Sequence, residues 1–224
     1  MNDISKEIFE KYQVRKTKKQ KDDFISFIKE KFPEATVEKS GMLGSRNIVI
    51  GDVENAKAVL GAHYDTCAKM PFPNFLAPKN MVAYILFVLL IVLGAYIVTR
   101  AVNLCIYSIT RNWLFALLMS EVVLLTLGLL MIIGPENKHT ANDNTSGIIT
   151  LLEIYGSLTP EQREKFAFVL FDNEEIGLFG SSAFAKKHKN ASNTAAKYTV
   201  ERIRTSMPLS IADKGRKITF IVPV

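Results

Sequence analysis

Cysteine and histidine are scarce in this chain: two Cys and three His among 224 residues. Cys67 lies beside a histidine motif and Cys105 inside an apolar stretch, which argues against a disulfide and is consistent with a reducing compartment. The opening residues, Met1 to Glu7, have no apolar core, so no signal peptide is expected there. Internal repeats and low-complexity tracts are also lacking. Aromatics and glycines are missing from the two basic runs, Arg15-Lys16-Thr17-Lys18-Lys19-Gln20-Lys21 and Lys186-Lys187-His188-Lys189. Despite a net charge of +6, this excludes the usual nucleic-acid modules. Solvated helix faces are expected instead, with an anionic membrane surface as the functional candidate.

The most telling shortage is of charge between residues 81 and 134, where only Arg100, Arg111 and Glu121 are ionisable as acid or strong base. This stretch explains a positive mean hydropathy of +0.14 in a chain with 22% charged residues. Residues 81–99 and 113–134 are each long enough to cross a hydrocarbon core of about 30 Å as a helix. Neither has a polar face at helical period, and a domain of this size cannot wrap two helices that are apolar all round. A transmembrane helical hairpin is therefore expected at 80–134, dividing a globular domain into 1–79 and 135–224. Glu121 at mid-membrane costs about 2.5 kcal/mol or more unless paired, which marks it as a candidate homo-oligomer contact. Two crossings put both halves of the globular domain on one side. With no export signal that side is expected to be the cytoplasm, giving a multi-pass protein of the cell membrane. The positive-inside count is nearly neutral, Lys69, Lys79 and Lys138 against Arg100 and Arg111.

The flanks have the patterning of an α/β domain. Residues 4–31 read as helix, with Phe24, Ile25, Phe27, Ile28 and Phe32 at helical spacing and Pro33 as the stop. Strands are expected at 35–38, 46–50 and 56–62, with Gly41, Gly44 and Gly51 in the turns. Further on, 147–158 and 178–189 read as helices, and 165–172 and 214–222 as strands. The run 165–171 is apolar on both faces, as in a central strand covered on both sides. Little apolar periodicity is left in 190–206. The whole predicts an α/β domain with a mixed sheet between helical layers.

Three constellations carry chemistry. An apolar strand delivers His63-Tyr64-Asp65-Thr66 at its carboxyl end, where open α/β sheets form ligand sites. A neutral imidazole can bind zinc, and a nearby carboxylate can set its tautomer. Ala141-Asn142-Asp143-Asn144-Thr145-Ser146-Gly147 precedes a helix, and its aspartate could bridge two cations. Asp172-Asn173-Glu174-Glu175 closes another strand. In extended backbone adjacent glutamates point to opposite sides, so one could ligate a metal while the other acts as general base.

In this order the three resemble the co-catalytic di-zinc aminopeptidases, the exopeptidase family of bacterial leucyl aminopeptidase, aminopeptidase Y and glutamate carboxypeptidase. The resemblance covers roughly 46–64 and 142–189. It implies a three-layer zinc-exopeptidase fold holding two zinc ions and acting on peptide substrates. His63 would bind one zinc and Asp65 would orient it. Asp143 would bridge both, Glu175 would bind the second, and Glu174 would be the general base. The family's further aspartate, at the end of a later strand, corresponds best to Asp213. Its downstream histidine has no counterpart: His188 reads as part of a solvated face and His139 as a loop residue. The chain is thus expected to be a C-terminally truncated or altered copy of a longer enzyme. The alternatives are a catalytically inactive membrane protein that keeps the fold as a scaffold, and a one-zinc acyl-transfer enzyme such as a glutaminyl cyclase.

Overall fold

The computed structural model describes residues 3–41, 43–69, 81–189, 196–199, 209–213 and 216–220. They form two compact units, one of residues 1–67 and 136–224 and the other of residues 68–135.

The first unit opens with two helices, α1 (Asp3–Lys11) and α2 (Lys18–Lys31), where the hydrophobic spacing predicts one. A capping box causes the break. The Thr17 hydroxyl accepts from the Gln20 N–H, and the Gln20 side chain accepts from the Thr17 N–H, which restarts the helix at Lys18. Three strands follow: β1 (Thr36–Ser40), β2 (Ser45–Ile50) and β3 (Ala58–His63). After the second unit come a π-turn (Ala141–Thr145), α5 (Ser146–Ser157), the short α6 (Pro160–Arg163), β4 (Phe166–Phe171) and α7 (Phe179–Lys187). The strands β5 (Ala196–Thr199), β6 (Leu209–Asp213) and β7 (Arg216–Phe220) complete the described elements.

The main sheet has the order β1-β2-β4-β3-β5. Its β1–β2 and β2–β4 pairs are antiparallel, and β3 runs parallel to both β4 and β5. The sheet is therefore mixed, as expected. All six residues of β4 are buried, in keeping with its central place and apolar sequence. Alternate residues face two cores. Ile48, Ile50, Leu60, Ala62, Phe168 and Leu170 pack with Phe24, Ile28, Ile148 and Leu151 from α2 and α5. Val49, Val59, Ala167, Val169 and Phe171 pack with Phe184 of α7 on the other side. Helix, sheet and helix thus form three layers.

Two sequence expectations change in the C-terminal part. The 190–206 stretch contributes an edge strand, β5, with the rest of that stretch outside the described residues. Among the described residues β6, which ends in Asp213, pairs with β7 in a separate two-stranded sheet, so Asp213 does not close a strand of the main sheet there. Of the strand expected at 214–222, residues 214, 215, 221 and 222 lie outside the described residues.

The second unit is a helical hairpin of α3 (Met81–Thr110) and α4 (Trp113–Ile133). Both helices are long and apolar enough to cross a membrane. Residues 100–110, read from sequence as a loop, continue α3, because nothing in them breaks a helix. The turn is only Arg111, at φ 54°, and Asn112, whose side chain accepts from the Phe115 N–H and caps α4. Large apolar side chains are exposed along both helices, among them Leu90, Tyr96, Leu114, Leu125 and Ile133. Asn103 and Ser120 are buried within the hairpin, and the Arg100 guanidinium sits 5.7 Å from the Trp113 ring centre.

Candidate active site

His63 ends β3 directly beside Phe171, the last residue of β4, so the first and third constellations leave the sheet from adjacent parallel strands. Asp65 joins them. Its Oδ1 accepts the Glu174 N–H and its Oδ2 the Glu175 N–H, each at 3.1 Å. A single buried carboxylate thus holds the backbone of both glutamates to the histidine strand. Burial pushes the Asp65 pKa up, but the hydrogen bond and charge of His63, the charge of Lys21 and the Glu175 N–H outweigh it, and the net value is below the ordinary carboxylate range.

The His63 ring has a defined tautomer. Its Nδ1 lies 3.1 Å from the Asp65 backbone carbonyl oxygen and 3.6 Å from Asp65 Oδ1. A carbonyl oxygen can only accept, so Nδ1 donates, and in the neutral form of the ring the lone pair lies on Nε2. That is the form in which imidazole binds a metal.

Glu174 and Glu175 lie in a turn beyond β4, which corrects the expectation of an extended backbone. Asn173 adopts φ 57°, and the Glu174 carbonyl accepts from the N–H groups of Gly177 and Leu178. The turn then enters α7 through Leu178, which has φ 57° and caps nothing. Glu174 takes over that function: its Oε1 accepts the Ser181 N–H at 2.7 Å and its Oε2 the Ser181 hydroxyl at 2.9 Å. Burial raises the Glu174 pKa above its ordinary value, with the two Ser181 hydrogen bonds opposing but not cancelling the shift. A carboxylate has about four lone-pair sites, so two acceptor directions remain for other protons. Close approach makes this possible. A Cβ on Gly180 would come within 2.1 Å of the Asp172 carbonyl oxygen and 2.7 Å of Asn47 Oδ1.

Beneath the turn, Asp172 is buried in an ion pair with Lys21 at 2.5 Å. It also accepts the N–H groups of Arg46 (3.0 Å) and Asn173 (2.9 Å), and Lys21 donates to Asn173 Oδ1 at 2.8 Å. The N-terminal basic run is therefore no uniform solvated face: Lys21 and Arg15 are both buried. Local periodicity carries no signal for either: Lys21 has no charged neighbour at i±4 (Thr17 and Ile25), but Arg15 has Lys11 and Lys19 there and reads as one of a basic series. His188 departs from expectation in the same way. Its Nδ1 lies 2.6 Å from Glu54, its Nε2 3.0 Å from Glu38, and its ring lies 4.5 Å from that of Phe184 at a tilt of 40°. It clasps α7 to β1 and to the loop before β3, and lies apart from His63.

The second constellation sits in the π-turn. The backbone of Asp143 belongs to it, while the side chains of Asp143 and Asp213 lie outside the described features. Among the described residues no group of three His, Cys, Asp or Glu side chains could hold a metal. The described donors, His63 and Glu175, are nonetheless of the nitrogen and oxygen type that zinc takes, and the His63 tautomer suits it. Asn144, next to Asp143, is buried: its Oδ1 accepts the Gly147 N–H at 3.1 Å, and its Nδ2 has no partner among the described residues. That donor leaves room for an acceptor from outside the described residues. The described residues therefore fit a zinc site in their chemistry.

Residues 127–217 match the model of Peptidase family M28. The matched part includes Asp143, Glu174, Glu175 and Asp213, and excludes His63 and Asp65. No curated protein matches the chain, and no solved structure does. The family match supports a relation of this chain to the zinc aminopeptidase-type superfamily.

Proposed function

We propose that the chain is a membrane-anchored, zinc-dependent exopeptidase of the aminopeptidase type. The observation that carries this reading is Asp65, which orients His63 on one side and holds the Glu174 and Glu175 backbone on the other. His63, Asp143 and Glu175 would contribute to holding two zinc ions. Zinc bound there supplies polarisation of the scissile carbonyl and a lowered pKa for an attacking water. Glu174 would accept the water's proton at a carboxylate oxygen and return it to the leaving amine. Its raised pKa brings the carboxylate closer to the value that such a proton transfer needs. Ser181 fixes the carboxylate plane, so the base is held in position before substrate arrives.

The hairpin would sit in the lipid bilayer, with both halves of the first unit on the cytoplasmic side. Glu121, exposed on α4, would serve as a contact between copies. The test is hydrolysis of aminoacyl-arylamides by the full chain in detergent, loaded with zinc. Turnover that disappears in Glu174→Gln while zinc is retained supports the reading. Equal turnover in that variant refutes it.

A further inference from the structure

Arg15 is completely buried, and every acceptor it touches among the described residues is neutral. Its Nε donates to the Tyr64 carbonyl at 2.5 Å, Nη1 to the carbonyls of Tyr12 and Gln13, and Nη2 to the Thr145 hydroxyl at 3.1 Å. The backbone adds a second clasp. The Arg15 N–H donates to Thr66 Oγ1 at 3.0 Å, and the Thr66 N–H donates to the Arg15 carbonyl at 3.4 Å. On the far side, the Thr140 hydroxyl donates to the Gln13 carbonyl at 2.6 Å, and the Thr145 N–H to the Thr140 carbonyl at 3.1 Å. Thr66, Thr140 and Thr145 are all buried.

Burying a cation without a carboxylate in contact is costly. Desolvation draws the Arg15 pKa down to about 9, with Asp65 opposing from a distance, so the group remains charged at neutral pH. That expense has a geometric return. Tyr64 lies between His63 and Asp65, and Thr145 is two residues beyond Asp143. A planar guanidinium with donors in a fixed fork can hold three segments at set directions, which a lysine ammonium cannot.

We infer that Arg15 is a positioning residue of the zinc site: it fixes the His63–Asp65 strand end against the turn that carries Asp143. The inference rests on the zinc-peptidase reading and extends it to a segment far along the sequence from any of the proposed ligands. It also assigns the break between α1 and α2 a purpose, since a continuous helix could not present Tyr12, Gln13 and Arg15 to both partners.

The test is zinc affinity of the full chain in detergent, by competition with a chromophoric chelator, with apo-protein melting followed in parallel. Thr145→Val removes one arm of the fork and should weaken zinc about 10-fold, at the low end of the effect seen for groups that orient metal ligands. It also strands the buried Arg15 donor and lowers the apo melt, so affinity is read well below both melts, and Thr145→Ser, which keeps the hydroxyl, should restore parent-like zinc affinity. Arg15→Lys keeps the charge and should weaken zinc to a similar or greater degree; Arg15→Met should weaken it most. If Arg15→Met does not fold, Thr145→Val and Arg15→Lys decide the matter. Parent-like zinc affinity in both overturns the positioning role and leaves the peptidase reading intact. A parent chain that binds no zinc overturns both.

Discussion

Replacing Lys21 with methionine tests whether the N-terminal helix is built into the candidate site. Methionine keeps most of the stem volume of lysine, so the change isolates the charge. The side chains of Lys21 and Asp172 are 10% and 3% exposed, which places the pair in the regime where removing one partner strands the other. Stranding a buried charge costs about 3–5 kcal/mol. Asp172 keeps the N–H groups of Arg46 and Asn173, so the lower end applies, at about 3 kcal/mol. For a domain of this size, each kcal/mol moves Tm by about 2–4 °C, which gives a fall of about 6–12 °C. Thermal denaturation in detergent, followed by circular dichroism, measures it. The double variant Lys21→Met, Asp172→Asn should be more stable than Lys21→Met alone, because the stranded charge is gone. A fall below about 2 °C in the single variant, or a double variant that is worse than the single, would refute the reasoning.

Three further outcomes follow from the same geometry. Burial raises the Glu174 pKa and the Ser181 hydrogen bonds oppose the rise, so the acidic limb of kcat/KM should respond to Ser181. Ser181→Ala removes a hydrogen bond that favours the carboxylate and should move the limb to higher pH; a limb that moves down contradicts the assignment of Glu174 as base. Gly180→Ala forces a Cβ onto the Asp172 carbonyl and should cost about 1–3 kcal/mol, lowering kcat more than it raises KM as Ser181 leaves Glu174; steady-state kinetics and a melt decide this. Burial pushes the Glu38 pKa up, but hydrogen bonds from His188 and Lys187 outweigh it and leave it below 4.5. A depressed carboxylate stabilises the fold above its unfolded pKa and loses that effect as pH falls through the folded value. Acid unfolding should therefore be less steep below pH 4.5 in Glu38→Gln, and an unchanged slope would show that the His188 clasp carries no stability.

Much of the fold was legible because burial and periodicity coincide. The apolar run 166–171 is the central strand β4, and the apolar runs at 81–99 and 113–134, the second broken only by Glu121, fall on the two hairpin helices. Misread positions share a cause: local pattern has no record of a distant partner. Residues 4–31 looked like one helix because the Thr17–Gln20 capping box is a two-residue signal inside a long amphipathic run. Arg15 and Lys21 looked solvated because their partners, Tyr64, Thr145 and Asp172, lie about 50 to 150 residues away. His188 was misjudged likewise, its acceptors being on β1 and the loop before β3. In the site, the order of the three motifs pointed to His63 and the paired glutamates meeting at one sheet edge. That Asp65 would join them by accepting two backbone N–H groups was not readable, since an extended backbone was expected where a left-handed Asn173 makes a turn.

Zinc K-edge absorption spectroscopy on the purified full chain examines the core of this account most directly. The expected spectrum contains imidazole nitrogen and carboxylate oxygen at about 2.0–2.2 Å with no sulfur shell at about 2.3 Å, and the imidazole signature disappears in His63→Ala. A sulfur shell from Cys67, or an imidazole signal that survives the His63 substitution, would contradict it.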